Sequence, residues 1–234
     1  MELSKKEIIV SSWKIMKSHL PLIISIVLFI FSLTILLSIV QEKLLGTATY
    51  QSILFIIASY LFQMGLSLGL LRICLNMINN VDADFPQLFS SFHMLIPYAV
   101  ATILYLAAIL LAASPGLLIF IISTSVSLEN LFMTTGSVSA VLSSILMIIP
   151  AIYVSVRLQF YEYFLIDEEC GIIDSIKKSA DISRGYVLEL FILGAVLALL
   201  VLISIVPLGV GLILSIPLSK MATSYVYLKL KKNH

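Results

Sequence analysis

Six long apolar runs, separated by short polar segments, dominate the pattern along this chain of 234 residues. The first run, Pro21–Val40, has no charged side chain and is about as long as a helix that crosses a hydrocarbon core of about 30 Å. It is longer than the apolar part of a signal peptide, so we expect it to stay as an anchor. The runs predict six membrane-spanning helices, at about residues 21–40, 52–77, 95–122, 138–158, 187–206 and 208–227.

The predicted fold class is therefore all-α, an integral membrane six-helix bundle in which residues 1–234 form a single transmembrane domain. The third and fourth spans contain proline away from their ends, and proline lacks a backbone donor. We expect Pro115-Gly116 to interrupt the third span and Pro150 to kink the fourth. The last two spans are predicted to form a hairpin around residues 207–209.

A short amphipathic segment precedes each odd-numbered span. The first is Ser4–Lys17, which opens with a capping box made by Ser4 and Glu7. The second covers residues 84–92, and the third is Ile172–Ile182, with Ile182 off its stripe. The predicted apolar stripes are Ile9, Trp13, Met16 and Leu20; Phe85, Leu88, Phe89 and Phe92; and Ile172, Ile173, Ile176 and Ala180.

These segments are typical of interfacial helices that lie on the cytoplasmic membrane surface and turn into the next span. The simpler interpretation is that they anchor and orient the spans; the alternative is a site for lipid headgroups or for a partner. Each segment and the two spans after it form a unit that occurs three times. Because Ser11-Ser12-Trp13 and Ser90-Ser91-Phe92 occupy like positions, a threefold helical-hairpin repeat is a further expectation.

The positive charges are distributed asymmetrically across this topology. Of the 14 Lys and Arg residues, all except Lys43 fall on or near one side. Since cytoplasmic loops carry an excess of Lys and Arg, both chain ends are predicted to be cytoplasmic. Hydrophobic residues make up 60% of the chain and charged residues only 12%, against about 25% charged in soluble domains. The cations flank apolar runs and form no basic face, so no nucleic-acid partner is expected.

Candidate chemistry is sparse, and no catalytic, cofactor-binding or metal-binding residue is predicted. Arg72, Arg157 and Lys220 are expected toward the cytoplasmic ends of their helices, which leaves no ionisable residue near the middle of a span. Isolated histidines favour satisfied or solvated roles over a metal site, and both cysteines are expected to be free thiols. These residues are His19, His93, His234, Cys74 and Cys170.

Polar and small residues in the second span suggest helix packing. Gln51, Gln63 and Asn76 favour hydrogen bonds between helices over a solute pathway, and the Gly65–Gly69 pair favours a close helix contact. The acidic cluster 167–169 is interpreted as a solvated turn, with recruitment of a cation or a partner as the alternative.

The stretch Ile148–Gly185 carries a resemblance to a known group of families. Its features are Ile149-Pro150-Ala151, Arg157, the acidic turn after Phe164, the serines Ser175 and Ser179, and Ser183-Arg184-Gly185. It resembles bacterial six-pass families of unknown function related to the membrane domain found on some glycerophosphoryl diester phosphodiesterases. Ser12-Trp13-Lys14 also fits, whereas Ala151 stands where glycine is usual. No soluble segment is long enough for a phosphodiesterase domain, so the resemblance implies a bacterial inner-membrane fold and no activity.

Three functions are weighed. The first is a non-enzymatic membrane protein that organises lipids or assembles with envelope proteins, its partners being lipids and a membrane protein or a second copy of the chain. The alternative is a permease or flippase-like transporter of an apolar or amphipathic solute, which the proline breaks would favour. The third, an enzyme acting on lipid headgroups through Arg157, Glu162 and Asp167, is the least favoured.

Overall fold

The computed structural model describes residues 4–44, 50–127, 135–206 and 211–232, and within these ranges the regular structure is entirely helical. A single turn of 3₁₀-helix, Phe92–Met94, leads into α5. The α-helices are α1 Lys5–Ser18, α2 Leu20–Leu44, α3 Tyr50–Ile78, α4 Gln87–Ser90, α5 Leu95–Ser127, α6 Thr135–Leu158, α7 Tyr161–Asp167, α8 Ile172–Ile182, α9 Val187–Ile203 and α10 Leu212–Lys231.

Four helical stretches in the described ranges are long and apolar enough to cross a membrane: Leu20–Lys43, Ser52–Ile78, Gln87–Ile122 and Val141–Asp167. A fifth is obtained if α8 and α9, which meet at 99°, are counted as one bent span. The all-helical prediction is confirmed, and the apolar helices suggest a membrane protein. The six spans and the threefold repeat stay predictions, and the hairpin turn at 207–209 lies outside the described residues.

The helices pack tightly at one end, where the amphipathic segments α1, α4 and α8 lie. We call this end the elbow end. Both buried apolar clusters are formed mainly by residues from this end, such as Ile8, Leu88 and Phe160, together with the adjoining halves of the long helices. Ion pairs join the same segments: Glu7 to Lys229, and Arg72 to Glu169, each at 3.7 Å. Arg72 and Lys229 therefore lie at this end, and the predicted one-sided distribution of the other cations stays a prediction.

Away from the elbow end, α5 and α6 pair mainly with each other. In residues 103–122 and 141–153 the buried positions are Gly116 and Ser143. A Cβ atom on Gly116 would lie 2.6 Å from the Ser143 carbonyl oxygen and against the backbone of Met147. Both helices continue through their prolines, so the predicted interruption at Pro115-Gly116 is wrong. The glycine there allows a close helix contact.

The amphipathic segments form at the predicted places but bury different faces. Helix α1 buries Ile8, Ser12 and Met16, whereas Trp13 from the predicted stripe is 39% exposed. The second segment is a short turn of helix followed by the 3₁₀ turn, and it buries Leu88, Ser91 and Met94.

Helix α8 departs furthest from its predicted stripe. It buries Ser175, Ser179 and Ile182, and it leaves Ile173 62% exposed. Ile172 and Ile176 are only partly buried. The residue that lay off the predicted stripe, Ile182, is therefore part of the core.

The glycine pair in α3 makes the close contact predicted for it, but with an unexpected partner. A Cβ atom on Gly69 would lie 2.7 Å from Leu88 Cα and closer still to the Leu88 carbonyl, and one on Gly65 would lie 2.7 Å from the Phe92 ring. Nearby, Asn76 Nδ2 donates to Gln87 Oε1 at 2.9 Å. The glycines and Asn76 therefore hold the second amphipathic segment against α3.

Candidate functional site

A groove of about 750 Å³ runs between α9 and α10 and ends at α7. The wall from α9 is formed by small and aliphatic residues: Gly194, Leu197, Ala198, Val201 and Leu202. The wall from α10 includes Ile216, Ser219, Lys220 and Thr223. The groove is therefore apolar along most of its length, with polar groups gathered at the α7 end.

An ion pair lies at this polar end. Lys220 Nζ is 2.8 Å from Glu162 Oε1, and the Tyr98 hydroxyl donates to Glu162 Oε2 at 3.3 Å. The side chains are partly shielded, with Glu162 15% and Lys220 29% exposed. Lys220 lies eight residues after the first residue of α10 and eleven before its last. It is thus further from the end of its helix than the sequence analysis predicted.

A second polar group in the groove lacks a partner. The Gln159 side-chain nitrogen Nε2 is buried and donates no hydrogen bond within the described part of the chain, although Gln159 lines the groove. Leaving a buried polar group unsatisfied costs about 1–3 kcal/mol. A bound molecule with an acceptor oxygen would remove that cost.

Gly194 keeps the groove open on the α9 side. It lies inside a helix, where glycine destabilises by about 1 kcal/mol relative to alanine. Apart from its chain neighbours and the backbone of its own helix, no heavy atom of the described residues lies within 4 Å of the position that its Cβ would take. Close packing therefore gives no reason for glycine at this position, whereas any larger side chain would project into the groove.

The residues of the proposed headgroup enzyme do not come together. Glu162 pairs with Lys220. Asp167 Oδ2 accepts hydrogen bonds from the Tyr227 hydroxyl at 2.9 Å and from Lys231 Nζ at 2.7 Å. Arg157 instead caps α8, since its Nε and Nη2 donate to the Ala180 carbonyl at 3.1 and 2.6 Å. Within the described residues, Arg157, Glu162 and Asp167 thus have separate partners.

Arg157 and the serines of α8 satisfy two helix ends at once. Ser183 Oγ donates to the Arg157 carbonyl at 2.7 Å, and Ser179 Oγ accepts the Phe160 N–H at 2.9 Å. These backbone groups belong to the end of α6 and the start of the turn into α7, where the helix no longer supplies hydrogen-bond partners for its backbone. Ser179 in α8 and Ser183 directly after it therefore hold α8 across the end of α6.

Replacing Arg157 with lysine should weaken this junction. Lysine keeps the charge but cannot make the two parallel bonds to the Ala180 carbonyl. We expect a loss of about 1–2 kcal/mol in the free energy of unfolding in detergent. The matched control is Arg184→Lys at the exposed end of α8, which should leave stability unchanged; an equal loss in both variants would contradict the capping role.

The acidic cluster 167–169 is exposed, as expected for a solvated turn, and its carboxylates form ion pairs with neighbouring cations. Glu168 is 2.5 Å from Lys178 and 2.8 Å from Lys231, and Glu169 faces Arg72 and His93 at 3.7 Å. Burial acts to raise the pKa of Glu168, but hydrogen bonds from the two lysines outweigh it and lower the pKa below 4.5. Burial acts to lower the pKa of Lys231, but Asp167 and Glu168 raise it above 10.5.

These shifts predict a pH dependence. A depressed carboxyl pKa contributes stability above its unfolded value, and that contribution is lost as the pH falls through the folded value. The raised pKa of Lys231 contributes stability below 10.5, lost only at higher pH. Thermal unfolding should thus show Lys231→Gln less stable than the native chain between about pH 5 and 10, with the gap closing in acid. Lys232→Gln is the control, and a gap that persists in acid would contradict the network.

The other polar candidates have local roles. Gln63 does not line the groove, and the side chain of Gln51 lies outside the described residues, as does His234. His19 Nδ1 contacts the Ser18 hydroxyl, and His93 faces Glu169. Cys74 and Cys170 are free thiols, as expected. Among the residues that the structure describes, no three His, Cys, Asp or Glu side chains are grouped to hold a metal ion.

The family comparison covers the entire chain. The profile of a family described as protein of unknown function (DUF975) matches residues 1–234. The chain belongs to this family. Its membership confirms the expected uncharacterised family, whereas no link to the glycerophosphoryl diester phosphodiesterases is shown. No curated protein and no solved structure matches the chain.

The groove residues of this DUF975 chain were missed by the sequence analysis. Lys220 and Glu162 are 58 positions apart, and nothing local indicates that they meet. Two signals were nevertheless present. Lys220 is the only charged residue inside the apolar run 208–227, and Gly194 interrupts an otherwise bulky apolar helix. A cation and a glycine in neighbouring apolar helices are the features that would have pointed to this place.

Proposed function

We propose that this chain is a non-enzymatic multi-pass protein of the bacterial cell membrane that binds and organises lipids, and that the groove between α9 and α10 holds a lipid. The observation that carries the proposal is an apolar groove that contains one ion pair, Glu162–Lys220, at its end. An acyl chain fits the aliphatic walls, while a headgroup fits the polar end.

The positive-inside rule supports cytoplasmic chain ends in this proposal. The lysines of α1 and the C-terminal lysines of α10 lie at the elbow end, where Glu7 pairs with Lys229, whereas Lys43 ends α2 at the other side. Six spans would then require α9 and α10 to cross as well. Helix α9 has 17 residues and α10 has 20, so each is about 25–30 Å long.

The ion pair has to supply most of the selectivity. Lipid tails are as apolar as leucine, so moving an acyl chain from the bilayer into an apolar groove gains little hydrophobic free energy. Charge-assisted hydrogen bonds are stronger in a low-dielectric setting, and they discriminate between headgroups. The apolar walls therefore provide shape, and the polar end provides affinity.

Filling the groove tests the proposal. In Gly194→Leu the new side chain projects into open space, so the fold is retained while the groove is narrowed. Ala195→Leu, one position along on an exposed part of α9 that does not line the groove, is the matched control. Native mass spectrometry with lipids retained should show less bound lipid for Gly194→Leu only. Equal lipid retention in all three proteins would refute the groove as the site; the same spectra report oligomeric state.

Transport of an amphipathic solute is the second candidate. The observation that favours it is the charged pair beside the middle of α10, because intramembrane ionisable residues mark solute pathways. Proteoliposomes that carry a fluorescent phospholipid in one leaflet distinguish the two proposals. Movement of the probe to the other leaflet that is lost in Gly194→Leu supports a transporter, whereas bound lipid without movement supports the organising role.

A further inference from the structure

We infer that the polar end of the groove recognises a zwitterionic phospholipid headgroup, one that carries a phosphodiester and a primary ammonium group. The inference rests on the proposed lipid-binding function and specifies the lipid class. It follows from the hydrogen-bonding capacity and the charge that the groove residues leave available.

Two donors are available for a phosphate. The Lys220 ammonium has three N–H groups, of which the structure directs one to Glu162. The Gln159 amide nitrogen is buried, lines the groove and has no partner among the described residues. A phosphodiester oxygen accepts from both, and contacts between an ammonium and a phosphate are among the stronger hydrogen bonds in proteins.

Acceptors for an ammonium group lie beside these donors. The hydroxyl groups of Ser219 and Thr223 donate hydrogen bonds to the carbonyls of Ser215 and Ser219, at 2.8 and 2.9 Å. Only their oxygen lone pairs therefore remain, as acceptors. The Glu162 carboxylate has further lone pairs beyond those used by Lys220 and Tyr98. A primary ammonium can donate to these atoms, whereas a quaternary ammonium has no proton to give.

Net charge favours the zwitterion over an anionic lipid. Glu162 and Lys220 together are neutral, so a headgroup with balanced charges leaves the site neutral. A headgroup with a net negative charge would leave one uncompensated charge in a low-dielectric place, which is costly. In this arrangement the phosphate of the ligand faces Lys220 and its ammonium group faces Glu162, so each charge of the ligand lies beside the opposite charge of the ion pair.

The test is competition between lipids for the full-length protein. Native mass spectrometry is recorded after incubation with equal amounts of phosphatidylethanolamine, phosphatidylglycerol, phosphatidylcholine and diacylglycerol. The native chain should retain phosphatidylethanolamine about tenfold over the others, as one charge-assisted hydrogen bond predicts. The double variant Glu162→Gln/Lys220→Met should retain the four lipids equally.

Two further variants keep the result interpretable. Gln159→Leu leaves the ion pair in place and should reduce the preference severalfold. Glu168→Gln/Lys178→Gln removes an ion pair outside the groove and should leave the preference unchanged. Preferential retention of phosphatidylglycerol, or equal retention of all four lipids by the native chain, overturns the inference. If Gly194→Leu still lowers total bound lipid in that case, the proposed function stands without the headgroup preference.

Discussion

Replacing Gly69 with leucine should cost about 3 kcal/mol or more in the free energy of unfolding, because the new side chain would occupy the space of the Leu88 backbone. The backbone of Leu88 cannot rotate away as a flexible side chain can, so the second amphipathic segment would have to move away from α3. Leu88 and Phe92 would then lose their contacts with α3. Thermal unfolding in detergent measures the loss.

Gly194→Leu is the natural control, since both changes place leucine at a helical glycine. Among the described residues, only chain neighbours and the backbone of its own helix lie within 4 Å of the Gly194 Cβ position, and replacing a mid-helix glycine gains up to about 1 kcal/mol of helix propensity. The two variants should therefore shift the unfolding temperature in opposite directions. A stable Gly69→Leu protein would show that the contact between α3 and the second segment does not hold the fold.

Replacing Lys220 alone with methionine should also destabilise the protein, by about 3 kcal/mol, because the Glu162 carboxylate would be left without its cation in a shielded place. The double variant Glu162→Gln/Lys220→Met should recover most of this loss, since its side chains are neutral and Tyr98 keeps a partner at position 162. Unfolding of the two single variants and the double variant gives the coupling energy of the pair.

The outcome of that cycle also bears on function. If removing both charges restores stability but abolishes the lipid preference, the pair is retained for recognition and not for folding. A coupling energy near zero would contradict a direct interaction between Glu162 and Lys220. Lys178→Met, which removes an exposed cation paired with Glu168, provides a comparison, because exposed ion pairs contribute little to stability.

Several features were predictable because they depend on neighbours along the chain. Apolar runs long enough to cross a bilayer predicted α2, α3, α5 and α6, and the amphipathic spacing predicted α1 and α8. The Gly65–Gly69 pair was recognisable as a close-packing site, although its partner was not.

The buried faces of α1 and α8 were not predictable in the same way. A rule that buries the most apolar stripe chose Ile172, Ile173 and Ile176 in α8, whereas the structure buries Ser175 and Ser179. For Ser179 the reason is that a carbonyl at the end of α6 and an N–H in the turn after it need partners, which the hydroxyl groups of Ser179 and of Ser183, just after α8, supply. Such a need arises only when two helix ends meet.

Hydropathy along the chain is a local property, and it was enough to establish the long apolar helices and their approximate limits. Which carboxylate meets Lys220, which backbone lies over Gly69 and where a groove stays open are relations between segments far apart in sequence. Tertiary packing decides them, because the free energy of a hydrogen bond, an ion pair or a void depends on atoms that only the folded chain brings together.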